Sequence, residues 1–194
     1  MPKGNIDFNK VGELVFDFAN GLLKDLQENL VKSDAMATGN LYQSITFEPI
    51  KILKTGIVFE LMLDAYYKYV DQGVKGADSS AKAPSSPFQY SNKRPPVSKI
   101  KQWIRDKPIN IKTSVDLTKI NKKGLQVKRR ATAQEKQTIE GEVEKIAFLI
   151  AEGIRRKGLK ATNFYSDVVN EERFNKFAKD LSEAFKQDII ISLK

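Results

Sequence analysis

The chain has 194 residues, 33 Lys and Arg against 24 Asp and Glu, a formal net charge of +9, no histidine and no cysteine. That length suits one domain with a sizeable core. Without cysteine there is no disulfide, thiolate zinc site or thiol nucleophile, and without histidine no imidazole base or metal ligand, so Ser–His and Cys–His hydrolases and the usual zinc enzymes are excluded.

The opening residues, MPKGNIDFNK, hold no apolar stretch of signal-peptide length, and runs such as IAFLIA are too short to span a bilayer. A soluble protein made and used inside a cell is expected. From about Asp7 to Val31 the apolar residues Phe8, Val11, Val15, Phe18, Leu22, Leu26 and Leu30 recur at steps of three and four, which predicts one long helix. Asn5 or Asp7 is a candidate cap. Gly21 inside this helix suggests close approach by a neighbouring backbone.

Thr38-Gly39-Asn40 reads as a turn in which glycine supplies positive φ. Leu41 to Leu53 reads as a strand interrupted at Pro49, and Ile57 to Leu63 as a second strand after a turn at Lys54-Thr55-Gly56. AYYKYVDQG then predicts a short helical turn stopped by Gly73. Its tyrosines, Tyr66, Tyr67 and Tyr69, stand too close together for all three to bury, which puts at least one at the surface or in an interface.

From Val74 to Pro96 the composition turns to Gly, Ser, Ala, Lys and Pro, the mark of a mobile loop, with Pro87-Phe88 as an anchor back to the body. Gly-x-x-Gly pieces such as GVKG carry no signal of their own. Pro95-Pro96 opens a helix with Val97, Ile100, Trp103 and Ile104 on one face, and Pro108 ends it. Trp103 is expected to pack that helix on the core.

Residues from Ile109 to Arg130 are basic with scattered apolar positions, consistent with a solvated loop or an extended hairpin. Between Ser91 and Ala133 thirteen Lys and Arg face two Asp, so the remainder of the chain is slightly acidic and the basicity is regional. Lys122, Lys123, Lys128, Arg129 and Arg130 are the candidate contacts to DNA or an acidic partner; the alternative is plain solvation of charge. Gln134 to Arg156 predicts a helix whose acidic first half and basic last turn complement the helix dipole, stopped at Gly158. After a connection anchored by Phe164 and Tyr165, a last helix runs from an Asn170 cap to about Leu193.

The expected fold class is therefore α+β: a small antiparallel sheet flanked by a long N-terminal helix and two C-terminal helices, with a long basic insertion. A single domain is expected, made of a helix-plus-sheet core (1–73), a loop, short helix and basic arm (74–133), and C-terminal helices (134–194). No Walker loop, Rossmann fingerprint, helix-turn-helix signature or paired-carboxylate motif is present, so no enzyme activity, metal or cofactor is expected.

Three stretches, in order, resemble one viral family. ATGNLYQSI (Ala37 to Ile45) is similar to the Thr-Gly-x-Leu-x-x-Ser segment of tailed-phage neck and tail-completion proteins, the head–tail joining or minor tail Z-like group. AYYKYVDQG (Ala65 to Gly73) resembles that family's Tyr-x-x-Tyr-Val-Glu-x-Gly segment, with Asp71 where glutamate is commoner. IAFLIAEGIRRKGLKATNFYSDVV (Ile146 to Val169) resembles the helix, glycine turn and Phe-rich connection before the last helix in a subset of such proteins. The stretch from Val74 to Ala133 departs from the compact members, where a short loop leads quickly to the last helix. The resemblance implies an α+β virion protein of the neck, assembled in the host cytoplasm. It would form a homo-oligomeric ring around the DNA channel, meet adjacent portal or adaptor and tail proteins, and touch genomic DNA without sequence preference, with no membrane partner. Tyr66, Tyr67, Tyr69 and Phe88 are then candidate subunit contacts, and the loop after Gly73 and the basic arm are candidates to order against neighbouring layers. The alternative reading is a nucleic-acid-binding protein that uses residues 93–130.

Overall fold

The structure, a computed structural model, describes residues 8–34, 39–53, 56–106, 114–123 and 125–185. Mixed helix and antiparallel sheet, it is α+β as expected. The contacts sort the chain into two compact units: residues 1–73 with 160–194, and residues 74–159.

The first unit opens with helix α1 (Phe8–Lys32). Val15, Ala19, Leu22, Leu26 and Leu30 are buried along it, at the spacing the periodicity requires. The expected close backbone at Gly21 is not there; a side chain on that residue would meet the guanidinium of Arg173 at 3.8 Å. The caps Asn5 and Asp7 lie outside the described residues, as do Thr38, Lys54 and Thr55.

Gly39 takes φ 78°, in keeping with its reading as a turn glycine. Beyond it, the expected strand start is instead a short helix, α2 (Asn40–Ser44). Leu41 and Ile45, four apart, both bury in the core, so helical spacing overrides the local alternation. Strands β1 (Thr46–Phe47), β2 (Lys51–Leu53), β3 (Gly56–Val58) and β4 (Leu61–Met62) then form one interrupted hairpin. β1 pairs β4 and β2 pairs β3, both antiparallel. The Glu48 N–H donates to the Glu60 carbonyl at 2.9 Å, and pairing shifts past Pro49, which has no N–H to give.

Helix α3 (Tyr67–Gln72) ends on Gly73 at φ 67°, as expected. Helix α6 (Glu171–Phe185) closes the unit, with Asn170 Oδ1 accepting from the Arg173 N–H at 3.0 Å as its cap. The expected continuation to Leu193 lies outside the described residues. Leu22, Leu26, Leu30, Leu41, Ile45, Phe164, Val168 and Phe174 form the core of this unit. Phe18 extends it, stacking on Phe177 at 4.0 Å and meeting Phe174 edge-on at 5.3 Å.

The second unit holds helix α4 (Val97–Asp106), strands β5 (Thr118–Ile120) and β6 (Gln126–Lys128), and helix α5 (Ala133–Lys157). Helix α4 packs on α5, with Ile104, Ala147 and Ala151 buried and Trp103 half-buried. The penultimate helix thus packs with α4 inside the second unit, whereas α6 belongs with α1. A capping box starts α5: Thr132 Oγ1 accepts from the Glu135 N–H, and the Glu135 carboxylate accepts from the Thr132 N–H. Pro108, expected to end α4, lies outside the described residues.

The stretch after Gly73, expected to be mobile, is laid against the C-terminus of α5. Val74 and Leu159 exchange backbone hydrogen bonds of 3.1 and 2.8 Å. The Ala77 and Asp78 N–H groups donate to the Arg155 and Arg156 carbonyls, and Lys82 Nζ donates to the Gly158 carbonyl. Those are carbonyls that a helix end leaves without intrahelical partners. Arg156 Nε adds a 2.7 Å contact to Asp78. Gly76 is what lets the loop come so near, because a Cβ there would stand 2.1 Å from the Arg156 carbonyl oxygen. The GVKG tetrapeptide therefore has a job that its composition hid.

Candidate interaction surfaces

The first two segments that carry the family resemblance, and residues 160–169 of the third, meet in the first unit; residues 146–159 of the third belong to the second. From the first, Leu41 and Ile45 enter the core, and Ser44 Oγ donates to the Leu41 carbonyl at 2.9 Å while accepting from the Asp64 N–H at 3.1 Å. Ser44 so ties α2 to the chain just ahead of the tyrosines. From the second, Val70 packs on the core and Asp71 is buried, at 2% exposure. One carboxylate oxygen of Asp71 accepts from the Tyr165 N–H (2.8 Å), the Ser166 N–H (3.0 Å) and Ser166 Oγ (3.3 Å). Its carbonyl accepts from the N–H groups of Thr162 and Asn163, both at 2.9 Å. The third segment supplies those donors along with the buried Phe164 and Val168. In the sequence Asp71 stands out only as a motif position; the signal for its burial is that a carboxylate in the last turn of a helix opposes the dipole and needs donors from elsewhere.

The tyrosines separate. Tyr66 and Tyr69 are exposed at 43% and 47%. Tyr67 is turned the other way, its ring 4.8 Å from that of Tyr165 at the edge of the core, so the outward pair is Tyr66 and Tyr69. Partial burial, then the charge of Asp64, holds the Tyr66 phenol above its usual pKa. Burial does the same to Tyr165, with Tyr67 and Asp71 adding to it. Phe88 belongs to the second unit, half-buried, with its carbonyl accepting from the Lys75 N–H at 2.9 Å. That bond lies within the loop that Phe88 was expected to anchor to the body.

The basic arm is a hairpin rather than a loose loop. Thr118 pairs with Lys128, Lys119 with Val127 and Ile120 with Gln126. Asn121 Oδ1 organises the turn by accepting from the N–H groups of Lys123 and Leu125 at 2.9 and 3.0 Å. At the base, Asp116 accepts from the N–H and hydroxyl of Thr118, both at 2.8 Å, which holds its carboxyl below the usual range. Arg129, expected to meet DNA or an acidic partner, is engaged within its own unit. Its guanidinium grips Glu135 through two nitrogens at 2.8 and 2.6 Å and reaches the Asp116 carbonyl at 2.7 Å. That grip, followed by the Thr132 N–H, lowers the Glu135 pKa to about 2.

Helix α5 draws in further cations. Glu140 takes Lys101 (2.6 Å) and Arg105 (2.8 Å), which lower its pKa, and Glu142 accepts from the Ser114 hydroxyl and N–H. Glu152 takes Arg155 at 2.5 Å, and Arg94 lies over the Phe148 ring at 4.4 Å. Four of the eleven described cations between Ser91 and Ala133, Arg94, Lys101, Arg105 and Arg129, are therefore matched within the unit. Lys119, Lys122, Lys123, Lys128 and Arg130 are exposed, and no ion pair engages them among the described residues.

Apolar residues also remain outside. On α5, Phe148 and Leu149 are exposed at 42% and 68%. Among the described residues no three acidic groups converge as metal ligands would, and no helix is long and apolar enough to cross a membrane. No family model matches the chain, and comparison with curated proteins and with solved structures returns no significant match to either.

Proposed function

We propose that this chain is a structural protein of a tailed-phage neck, building a homo-oligomeric ring that joins head to tail around the DNA channel. The observation that carries the reading is the convergence of the first two resembling segments and residues 160–169 of the third on one core. Of the quoted motif positions that the structure describes, Gly39 works in the turn, Leu41 and Val70 in or against the core, Ser44 and Asp71 as hydrogen-bond ties and Gly73 at the helix stop, while Tyr66 and Tyr69 are exposed. A ring requires two different patches on each subunit. Tyr66 and Tyr69 on the first unit, and Phe148 and Leu149 on α5, are exposed residues of the kind that interfaces take up. The segment from Val74 to Tyr90 is no longer among the loops left to order on contact, since it is already bonded to α5.

Light scattering of the full chain tests this reading. The expected result is a discrete oligomer, shifted to smaller species by Tyr66→Ala with Tyr69→Ala while the far-ultraviolet circular dichroism stays the same. A second reading, a nucleic-acid-binding protein using residues 93–130, is favoured by the unmatched cations of the hairpin.

A further inference from the structure

Resting on that second reading, we infer that the nucleic-acid contact is confined to the β5–β6 hairpin, which seats in the groove of duplex DNA and holds its phosphates without reading its bases. The basic region is not one surface. Lys101, Arg105 and Arg129 are taken by Glu140, Glu144 and Glu135, which leaves them little to offer a polyanion. The cations of the hairpin, Lys119, Lys122, Lys123 and Lys128, followed by Arg130, are exposed and without an ion pair among the described residues.

Their placement selects the partner. Lys119 is opposite Val127 and Lys128 is opposite Thr118, so successive side chains put these two lysines on opposite faces of the ribbon. Lys122 and Lys123 occupy the turn between the strands. A flat acidic protein surface would meet one face and leave the other idle. A groove has two phosphate walls, and a two-stranded ribbon fits the duplex major groove, about 12 Å wide. Few groups on the ribbon can read sequence: Asn121 spends its amide oxygen on the turn, Leu125, 61% exposed, offers only an apolar contact, and Gln126 is the one exposed carboxamide on the two strands. The grip of Arg129 on Glu135 and the Ser114–Glu142 contacts fix the hairpin base to α5, so the finger is held in place before it meets DNA.

The test is fluorescence anisotropy of a labelled mixed-sequence duplex with the full chain at stepped salt. Five phosphate contacts at about 0.9 in log–log slope each give a roughly 500-fold loss of affinity between 50 and 200 mM salt. Changing the duplex sequence is expected to alter binding less than about threefold, the mark of phosphate contacts. Lys122→Glu with Lys123→Glu and Lys128→Glu should weaken binding by about a hundredfold or more. Lys93→Glu with Lys99→Glu, also exposed but off the hairpin, should change it little. Duplex binding that survives the hairpin variant and is lost with the Lys93 and Lys99 variant overturns the hairpin assignment and leaves the nucleic-acid reading standing. No binding of wild type at 50 mM salt overturns both. Polyglutamate competing as well as duplex at equal charge also overturns the inference and assigns the finger to an acidic protein.

Discussion

At Asp71 a single carboxylate oxygen receives three donors from residues more than ninety positions away, while the side chain is almost wholly out of water. Removing it leaves the Tyr165 and Ser166 N–H groups without their acceptor. Asp71→Ala is expected to destabilise the chain by about 3 kcal/mol, at 1–3 per orphaned donor. Asp71→Asn keeps an acceptor oxygen and should cost roughly 1 kcal/mol, both read from urea unfolding. Glu135 is tied differently. It caps its own helix and grips Arg129, and its pKa falls to about 2 from an ordinary 4.5. A depressed carboxylate contributes stability that is complete above its unfolded pKa and lost as pH falls through the folded one. The difference in unfolding midpoint between wild type and Glu135→Gln should therefore hold above about pH 5 and close as pH falls toward 2. A difference that persists unchanged at pH 2 would show that Glu135 acts without its charge.

Between elements, the loop at Gly76 comes close against the end of α5. Gly76→Ala would force a Cβ into the Arg156 carbonyl and is expected to cost about 3 kcal/mol by thermal unfolding. Gly141, in the exposed middle of the same helix with nothing near, is the contrast: Gly141→Ala should stabilise by about 0.5–1 kcal/mol. The same distinction governs what the sequence discloses. The stripe of α1, the Gly73 and Gly158 stops and the Asn170 cap are local signals, and the structure places them where the residues point. The clasp on α5, the ties made by Asp71 and the grip of Arg129 on Glu135 depend on partners that local periodicity does not name. Helix α2 was concealed for another reason: over five residues, Leu41 and Ile45 fit a strand by alternation as readily as a helix by spacing.

Over the whole chain, the two crossings between units fall at Gly73–Val74 and Leu159–Lys160, and the pair Val74–Leu159 closes the second unit at its own base. That unit carries the unmatched cations together with residues 146–159 of the third resembling segment, and the first carries the other two segments and residues 160–169. Sequence alone located both regions but not the division, because α5 is followed in the chain by α6 yet packs on α4. Which outward residues were legible follows the same line. Tyr66 and Tyr69 are exposed because their helix has room for only one inward ring, whereas the fate of Arg129 was set by a carboxylate one turn into the next helix. Whether the chain assembles with copies of itself, as proposed, is read from electron microscopy of the purified full chain. The expected result is a closed ring of fixed subunit number with an open centre. A monomer at every concentration examined, with no ring in any class of images, would contradict it.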